Sequence, residues 1–347
     1  MGYIVIRDRV ARSLRVLMTV FLFMAAGVAP SVTALQAQGG PPPPDFLALS
    51  DSIESVLKAA KYEAGTARQG SVYLFDMQTA VDLEVNPNVT YSGVSLSKIA
   101  VLVTFYQYLN ATNQPTPTPD QAVLLTKMML CSDNAAANAL LEIVSASPQS
   151  AVAGLSETMW MFARSTLIHR RPFSDDGTPT IVDGPVIPNN ADADPDNQLK
   201  PANLAPLLIH MKYCARSKEE NMVIRAGDCR RMLALMRANQ IGALIEGGVP
   251  EGTPVAHKQG WNQDTHGDAA YVSTPGGDYV LVIVLHQRKF LNYTGSFPVM
   301  AEISRIVYNA YNPTRPMKAI RAQPIPEGCL IPTTVLSMLT SADPPLE

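Results

Sequence analysis

Charge is scarce in this chain. Asp, Glu, Lys and Arg make up 16% of its 347 residues, against roughly a quarter in an average soluble chain. The two signs nearly cancel: 27 Lys and Arg against 30 Asp and Glu leave a net charge of −3. No overall field exists to draw in nucleic acid, which excludes that class of partner. Cysteine is rare too, with Cys131, Cys214, Cys229 and Cys329 the whole set. None forms a C-x-x-C pair, so a structural zinc or iron–sulfur site has no support. The five histidines contain no H-E-x-x-H, which removes the zinc-protease helix; no metal or cofactor is implied. Repeats are missing, and so is any second apolar run long enough to span a membrane after the first forty residues. The 28 prolines and 21 glycines are too dispersed to make the whole chain fibrous or disordered. What is present is 47% hydrophobic residues, enough for a large core in one or two domains.

The single apolar run stands at the start. Arg7, Arg9, Arg12 and Arg15 precede a nearly uninterrupted apolar stretch from Val16 to Val32, the pattern of an export signal. Val32-Thr33-Ala34 offers the better cleavage site, and Ala37 a second. The alternative is an uncleaved anchor, but the run is marginal for a span and is broken by Gly27 and Pro30. The expected organisation is therefore a signal peptide over 1–34 and a Pro-rich linker over 35–44, placing the protein outside the cytoplasm. Export permits disulfides. Cys214 and Cys229 would close a modest loop and are the preferred pair, with four buried thiols as the alternative.

Beyond the linker the periodicity alternates. Leu49, Ile53, Val56 and Leu57 mark a helical face. Residues 70–75 and 80–85 read as two short strands of a hairpin. Helices are predicted over 95–110, 120–130, 135–144, 202–215, 228–238 and 299–311. Three strands are predicted over 255–261, 269–273 and 279–285, with Pro275-Gly276-Gly277 as the last turn. The stretch 172–201 is rich in Asp, Asn, Pro and Gly, a long loop of the kind that carries function. After Pro313 the chain shows no clear element. Strands at both ends with helices between predict an α+β fold whose sheet joins distant segments.

Ser95-Leu96-Ser97-Lys98 puts a serine and a lysine on one helix face, where the amine can take the hydroxyl proton. Alone the spacing is weak, because Ser55-Val56-Leu57-Lys58 has it as well. Ser132-Asp133-Asn134 sits between two helices, where such residues also serve as caps. Lys258-Gln259-Gly260 lies in a late strand, where a lysine is often just a solvated edge residue. The three in this order, each on its expected element, resemble the class A β-lactamase and penicillin-binding family of serine hydrolases. The resemblance covers roughly residues 46–311. It extends to Cys131-Ser132-Asp133-Asn134-Ala135-Ala136-Ala137-Asn138 and to Val255-Ala256-His257-Lys258-Gln259-Gly260-Trp261.

The resemblance implies an antiparallel five-stranded sheet flanked by helices, plus a helical subdomain, within a hydrolase domain over 45–312 and a tail over 313–347. It implies Ser95 as nucleophile, Lys98 as its base, Ser132 as proton carrier to the departing nitrogen and Asn134 as holder of a substrate amide. Lys258 would supply positive potential for a substrate carboxylate, with Gln259, Gly260 and Trp261 lining the substrate site. The backbone amides of Ser95 and Trp261 would form the oxyanion hole. A lysine acting as base must drop from about 10.4 toward neutrality, worth about 4 kcal/mol, and burial beside a second cation pushes that way. The implied substrate is a β-lactam or a D-Ala-D-Ala-type peptide, handled by a single chain that is not inserted in a membrane after cleavage.

Three departures stand out. Gln259 occupies a place usually held by threonine or serine. The interval from Ser95 to Ser132 is short for the family, which implies a lost helical segment and a more open cleft. No glutamate stands before Pro172 in Thr166-Leu167-Ile168-His169-Arg170-Arg171-Pro172, where the family keeps the residue that activates the deacylating water. Asp175, Asp176 and Asp183 are candidate replacements, and Glu157 is expected on a helix surface. A cell-wall peptidase or an acylated, non-catalytic sensor therefore stays open beside a β-lactamase. A different hydrolase is a third alternative: Gly93-Val94-Ser95-Leu96-Ser97 approaches a G-x-S-x-G elbow, with Asp183 and His257 or His286 as partners.

Overall fold

The computed structural model describes residues 43–145, 148–163, 168–169, 173, 193–219, 223–321, 325 and 328–342. The expected signal peptide and most of the expected linker lie outside these residues. Chain order runs α1 (Phe46–Ala59), β1 (Arg68–Asp76), β2 (Asp82–Val85), β3 (Tyr91–Ser92), a 3-10 turn (Val94–Ser97), α2 (Lys98–Ala111), α3 (Pro119–Leu130) and α4 (Asn134–Val144). It continues with α5 (Pro148–Ala163), β4 (Ile168–His169), β5 (Asn197–Leu199), α6 (Pro201–Arg216), α7 (Ala226–Arg237), a second 3-10 turn (Ile245–Gly248), β6 (Val255–Trp261), β7 (Thr265–Val272), β8 (Tyr279–Gln287), α8 (Tyr293–Tyr311) and α9 (Thr333–Thr340).

The expected α+β architecture is present. Five antiparallel strands in the order β2-β1-β8-β7-β6 form the main sheet, joining the two ends of the domain. β8 is central and apolar along most of its length because helices cover both of its faces. Val280, Val282 and Val284 pack toward α2, α6 and α7, while Leu281, Ile283 and Leu285 pack toward α1 and α8. The same alternation runs through β6: Ala256 belongs to the first core and Val255 to the second. Lys258 and Gly260 therefore face the helical side, and β6 is the open edge of the sheet. A small second sheet, β3-β5-β4, anchors the chain before the first 3-10 turn.

Local chemistry explains the helix starts nearest the motifs. Thr118 and Gln121 form a reciprocal capping box on α3 with Pro119 in its first turn. Asp133 caps α4 by accepting the Ala136 N–H at 2.7 Å.

The short strands β3, β4 and β5 were not predicted, β5 falling within the stretch expected to be loop, and the structure differs from expectation elsewhere too. α5 was not among the helices predicted by range, although Glu157 within it was expected on a helix surface. β7 begins at Thr265 rather than 269, because His266 and Asp268 are buried there with partners of their own. α8 begins at Tyr293, with Asn292 capping it, and continues through Pro298. The tail is not featureless: α9 buries Val335 and Leu339 in the first core, and Arg231 donates to the carbonyls of Ser341 and Ala342. A Cys131–Cys329 disulfide fastens this tail. Cys214 and Cys229 form the other disulfide, with Cα atoms 5.9 Å apart. Among the described residues no helix is long and apolar enough to cross a membrane.

Candidate active site

The segment carrying Ser95 is a strained turn. Val94, a β-branched residue, has φ +43°, a region such residues rarely enter. Its carbonyl is held by Asn197 Nδ2 at 3.1 Å and by the Ser97 hydroxyl at 3.0 Å, and Asn197 O accepts the Gly93 N–H at 2.7 Å. The turn nests into a notch in the sheet where Gly260 and Gly267 lie directly opposite each other. A Cβ on Gly260 would stand 2.7 Å from Ser95 N, and one on Gly267 2.7 Å from Leu96 Cδ1. At Gly260 it is the bare backbone that admits the Ser95 segment so close.

Lys98 opens α2 and is fully buried. Its Nζ donates to Ser95 Oγ at 3.2 Å, to Asn134 Oδ1 at 2.6 Å, to Ser132 Oγ at 3.5 Å and to the Ser132 carbonyl. Ser132 reaches this point because α3 stops at Leu130 and Ser132 itself takes φ +58°. The capping alternative and the site placement coexist here: Asp133 caps α4 while its two neighbours contact Lys98.

From the other side, Lys258 Nζ donates to Ser132 Oγ at 3.1 Å and to Gln259 O at 2.7 Å. Burial, and then the charge of Lys98, hold the Lys258 ammonium well below the ordinary lysine range, against a weaker pull from Asp268. Ser132 Oγ thus sits between two lysines, one of which also touches Ser95.

Backbone donors are at hand. Ser95 N lies in the first turn of a 3-10 helix, where no preceding carbonyl serves it. Asn262 N donates inward to Thr265 O at 3.0 Å; strand alternation then turns Trp261 N–H to the open edge of β6. The Trp261 ring is 41% exposed and packs on Phe297, with ring centroids 5.6 Å apart. Gln259 is buried, and its Oε1 accepts from Asn239.

Sequence reasoning gave no role to Phe173 and Asn138. Asn138 brackets Phe173 with two bonds, Nδ2 to Phe173 O at 2.6 Å and Phe173 N to Oδ1 at 2.8 Å. The Phe173 ring, 9% exposed, stands 5.2 Å from Lys98 Nζ, cation over ring. Asp175, Asp176 and Asp183 lie outside the described residues. Glu157 is exposed on α5, as expected.

The elbow alternative does not hold for either histidine. His257 lies on the face of β6 opposite Lys258, its Nδ1 3.0 Å from Asp268 Oδ1. His286 Nδ1 is paired with Thr265 Oγ1 at 3.1 Å.

Residues 114–311 match the sequence profile described as the beta-lactamase enzyme family. Among solved structures, PBP-A is 20% identical, with 79% of this chain and 99% of that one covered at a TM-score of 0.58. A PBP-A variant described as an acyl-enzyme complex with penicillin G is also 20% identical, over 79% of this chain and 100% of that one, with a TM-score of 0.58. TLA-1, an extended-spectrum beta-lactamase, is 15% identical over 76% of this chain and 98% of that one, with a TM-score of 0.61. These likenesses show a shared fold. No curated protein sequence matches.

Proposed function

The chain belongs to the beta-lactamase enzyme family, and from that premise we propose that it is an exported serine hydrolase that opens β-lactam amides through an acyl-serine intermediate. The observation that carries this is the unbroken run of contacts from Ser95 Oγ through Lys98 Nζ and Ser132 Oγ to Lys258 Nζ. In its neutral form Lys98 takes the Ser95 hydroxyl proton as Oγ bonds to the lactam carbonyl carbon. The Ser95 and Trp261 N–H groups receive the oxyanion, each donor worth about 3–4 kcal/mol. When the C–N bond breaks, Ser132 hands its proton to the nitrogen and is re-protonated by Lys98. Lys258, with Gln259, attracts the substrate carboxylate, and Asn134 holds the acyl amide. Water then releases the acid and restores Ser95.

The two disulfides support export, because such bonds persist in oxidising compartments. The folded domain is taken to run from residue 45 through the tail rather than to 312, since Cys329 and α9 are fastened to it.

Phe173 favours a second reading of the last step. An apolar ring over Lys98 cannot activate water, so release is slow and the acyl-enzyme accumulates, as in a penicillin-binding peptidase. Hydrolysis of a chromogenic cephalosporin separates the two. Product beyond one equivalent, absent in Ser95→Ala, marks a β-lactamase; a burst of one equivalent marks the slow enzyme. No product from the wild type rejects both.

A further inference from the structure

Cys131 is the C-cap of α3, and Ser132 follows it at φ +58°. After a helix that left-handed position usually goes to glycine, which carries no side-chain penalty there. A serine holds it only where its surroundings over-determine it. Part of the holding comes from Lys98 and Lys258, which donate to the Ser132 hydroxyl at 3.5 Å and 3.1 Å. Those bonds change partners in the proposed reaction, as the hydroxyl gives up its proton and regains it. The tie at the preceding residue does not change. Cys131 is bonded to Cys329, 198 residues away in sequence, with Cα atoms 5.3 Å apart.

Cys329 is itself anchored. Gln240 Nε2 donates to the carbonyl of the next residue, Leu330, at 3.3 Å. α9 packs against α3 and α7 and buries Val335 and Leu339. Beyond it, buried Arg231 donates to the Ala342 carbonyl at 3.1 Å and to the Ser341 carbonyl, and is fixed by buried Asp228 at 2.8 Å. The chain after Cys329 is thus fastened at its start, middle and end.

We propose that Cys329 is a positioning residue, acting through Cys131 to hold the Ser132 hydroxyl where it hands its proton to the departing nitrogen. This rests on the role proposed above for Ser132. In attack on a lactam the Ser95 Oγ–C bond forms, the Ser95 proton goes to Lys98, the C–N bond breaks, and the nitrogen takes the Ser132 proton. A nitrogen anion is too basic to leave without it. A thioester acylates Ser95 by the same attack, but its C–S bond breaks to a thiolate that leaves unprotonated, since a thiol ionises near about 8.5. A misplaced Ser132 therefore slows the first reaction more than the second, whereas general loosening slows both alike.

The test compares acylation of Ser95 by a penicillin and by an acyclic thioester, read by rapid-quench mass spectrometry in wild type, Cys329→Ser and Cys214→Ser/Cys229→Ser. Cys329→Ser leaves Cys131 and Ser132 in place and removes only the tie; the double variant removes the other disulfide. In Cys329→Ser the penicillin rate should fall about tenfold or more beyond any fall in the thioester rate, the scale on which small misplacements of a reacting group act. The ratio of the two rates should stay within about threefold of wild type in the double variant. Equal falls for both probes in Cys329→Ser, or the same change of ratio in the double variant, overturn the role of Cys329. If Cys329→Ser does not fold, Leu339→Ala, which loosens α9 with the disulfide intact, must shift the ratio the same way by threefold or more; an unchanged ratio there overturns the role as well. Failure of the penicillin to acylate the wild type rejects the hydrolase reading and the positioning role together. Acylation of the wild type by both probes, with the ratio unchanged in Cys329→Ser, rejects only the positioning role.

Discussion

Gly260→Ala tests how closely the sheet edge supports the nucleophile. The added methyl would meet Ser95 N at 2.7 Å, Val94 Cγ2 at 2.8 Å and Leu96 N at 2.9 Å. Two of these three are backbone atoms in a turn already strained at Val94, so no side chain can swing aside to make room. Relief requires β6 and the Ser95 turn to part by about half an ångström, an overpacking of the kind that typically destabilises by about 1–3 kcal/mol. The same movement separates Ser95 N from Trp261 N, the two amides proposed to share the oxyanion. Oxyanion donors work only near 2.7–3.1 Å, and losing one lowers the rate roughly 10²- to 10³-fold. Rapid-quench mass spectrometry of the acylation step should therefore show a drop of that size, with urea unfolding reporting the smaller stability loss. Acylation within threefold of wild type, in a protein that is folded, would refute the proposed geometry of the hole.

Phe173→Glu puts a carboxylate where Asn138 brackets the chain beside Lys98, and single-turnover assays should show release of the acyl group rising about 10²-fold or more, the usual scale of general-base assistance; an unchanged rate removes Phe173 from the deacylation step. Cys329→Ser frees the tail from Cys131, and equilibrium denaturation should report a loss of roughly 2–5 kcal/mol, given the long loop this disulfide closes. His266 is pushed down to about 4 by burial, against the Asn262 backbone bond and the Asp264 charge. Unfolded, it titrates near about 6.5, so between these values the unfolded chain binds more protons and stability falls as pH drops from 6.5 toward 4. Denaturation across that range should lose part of its acid slope in His266→Gln; an unaltered slope contradicts the assignment.

Much of the fold was legible because its cause is local. β8 shows as a run of Val, Leu and Ile because both faces are covered, and α3 shows as a helical run over 120–130, its Thr118–Gln121 capping box emerging in the structure. α9 was hidden because eight residues after a Pro-rich stretch form a helix only through Val335, Leu339 and the Cys131–Cys329 bond, which lie far away in sequence. β7 was cut short because His266 and Asp268 look like solvent residues until Ser296 and His257 are seen to satisfy them. The site divides in the same way. Ser95 with Lys98, and Ser132 with Asn134, are pairs within one turn, so their spacing is visible. Asn138 with Phe173 is a contact across 35 residues, and Asn239 with Gln259 one across 20. No pattern in the sequence marks either.

The central proposal is that Ser95 becomes acylated. Intact mass spectrometry of the purified protein, followed over time after mixing with a penicillin and run beside Ser95→Ala, measures this directly. Acylation predicts an added mass equal to the whole penicillin on the wild type and none on Ser95→Ala. An unmodified wild type, or the same adduct on both proteins, would contradict it.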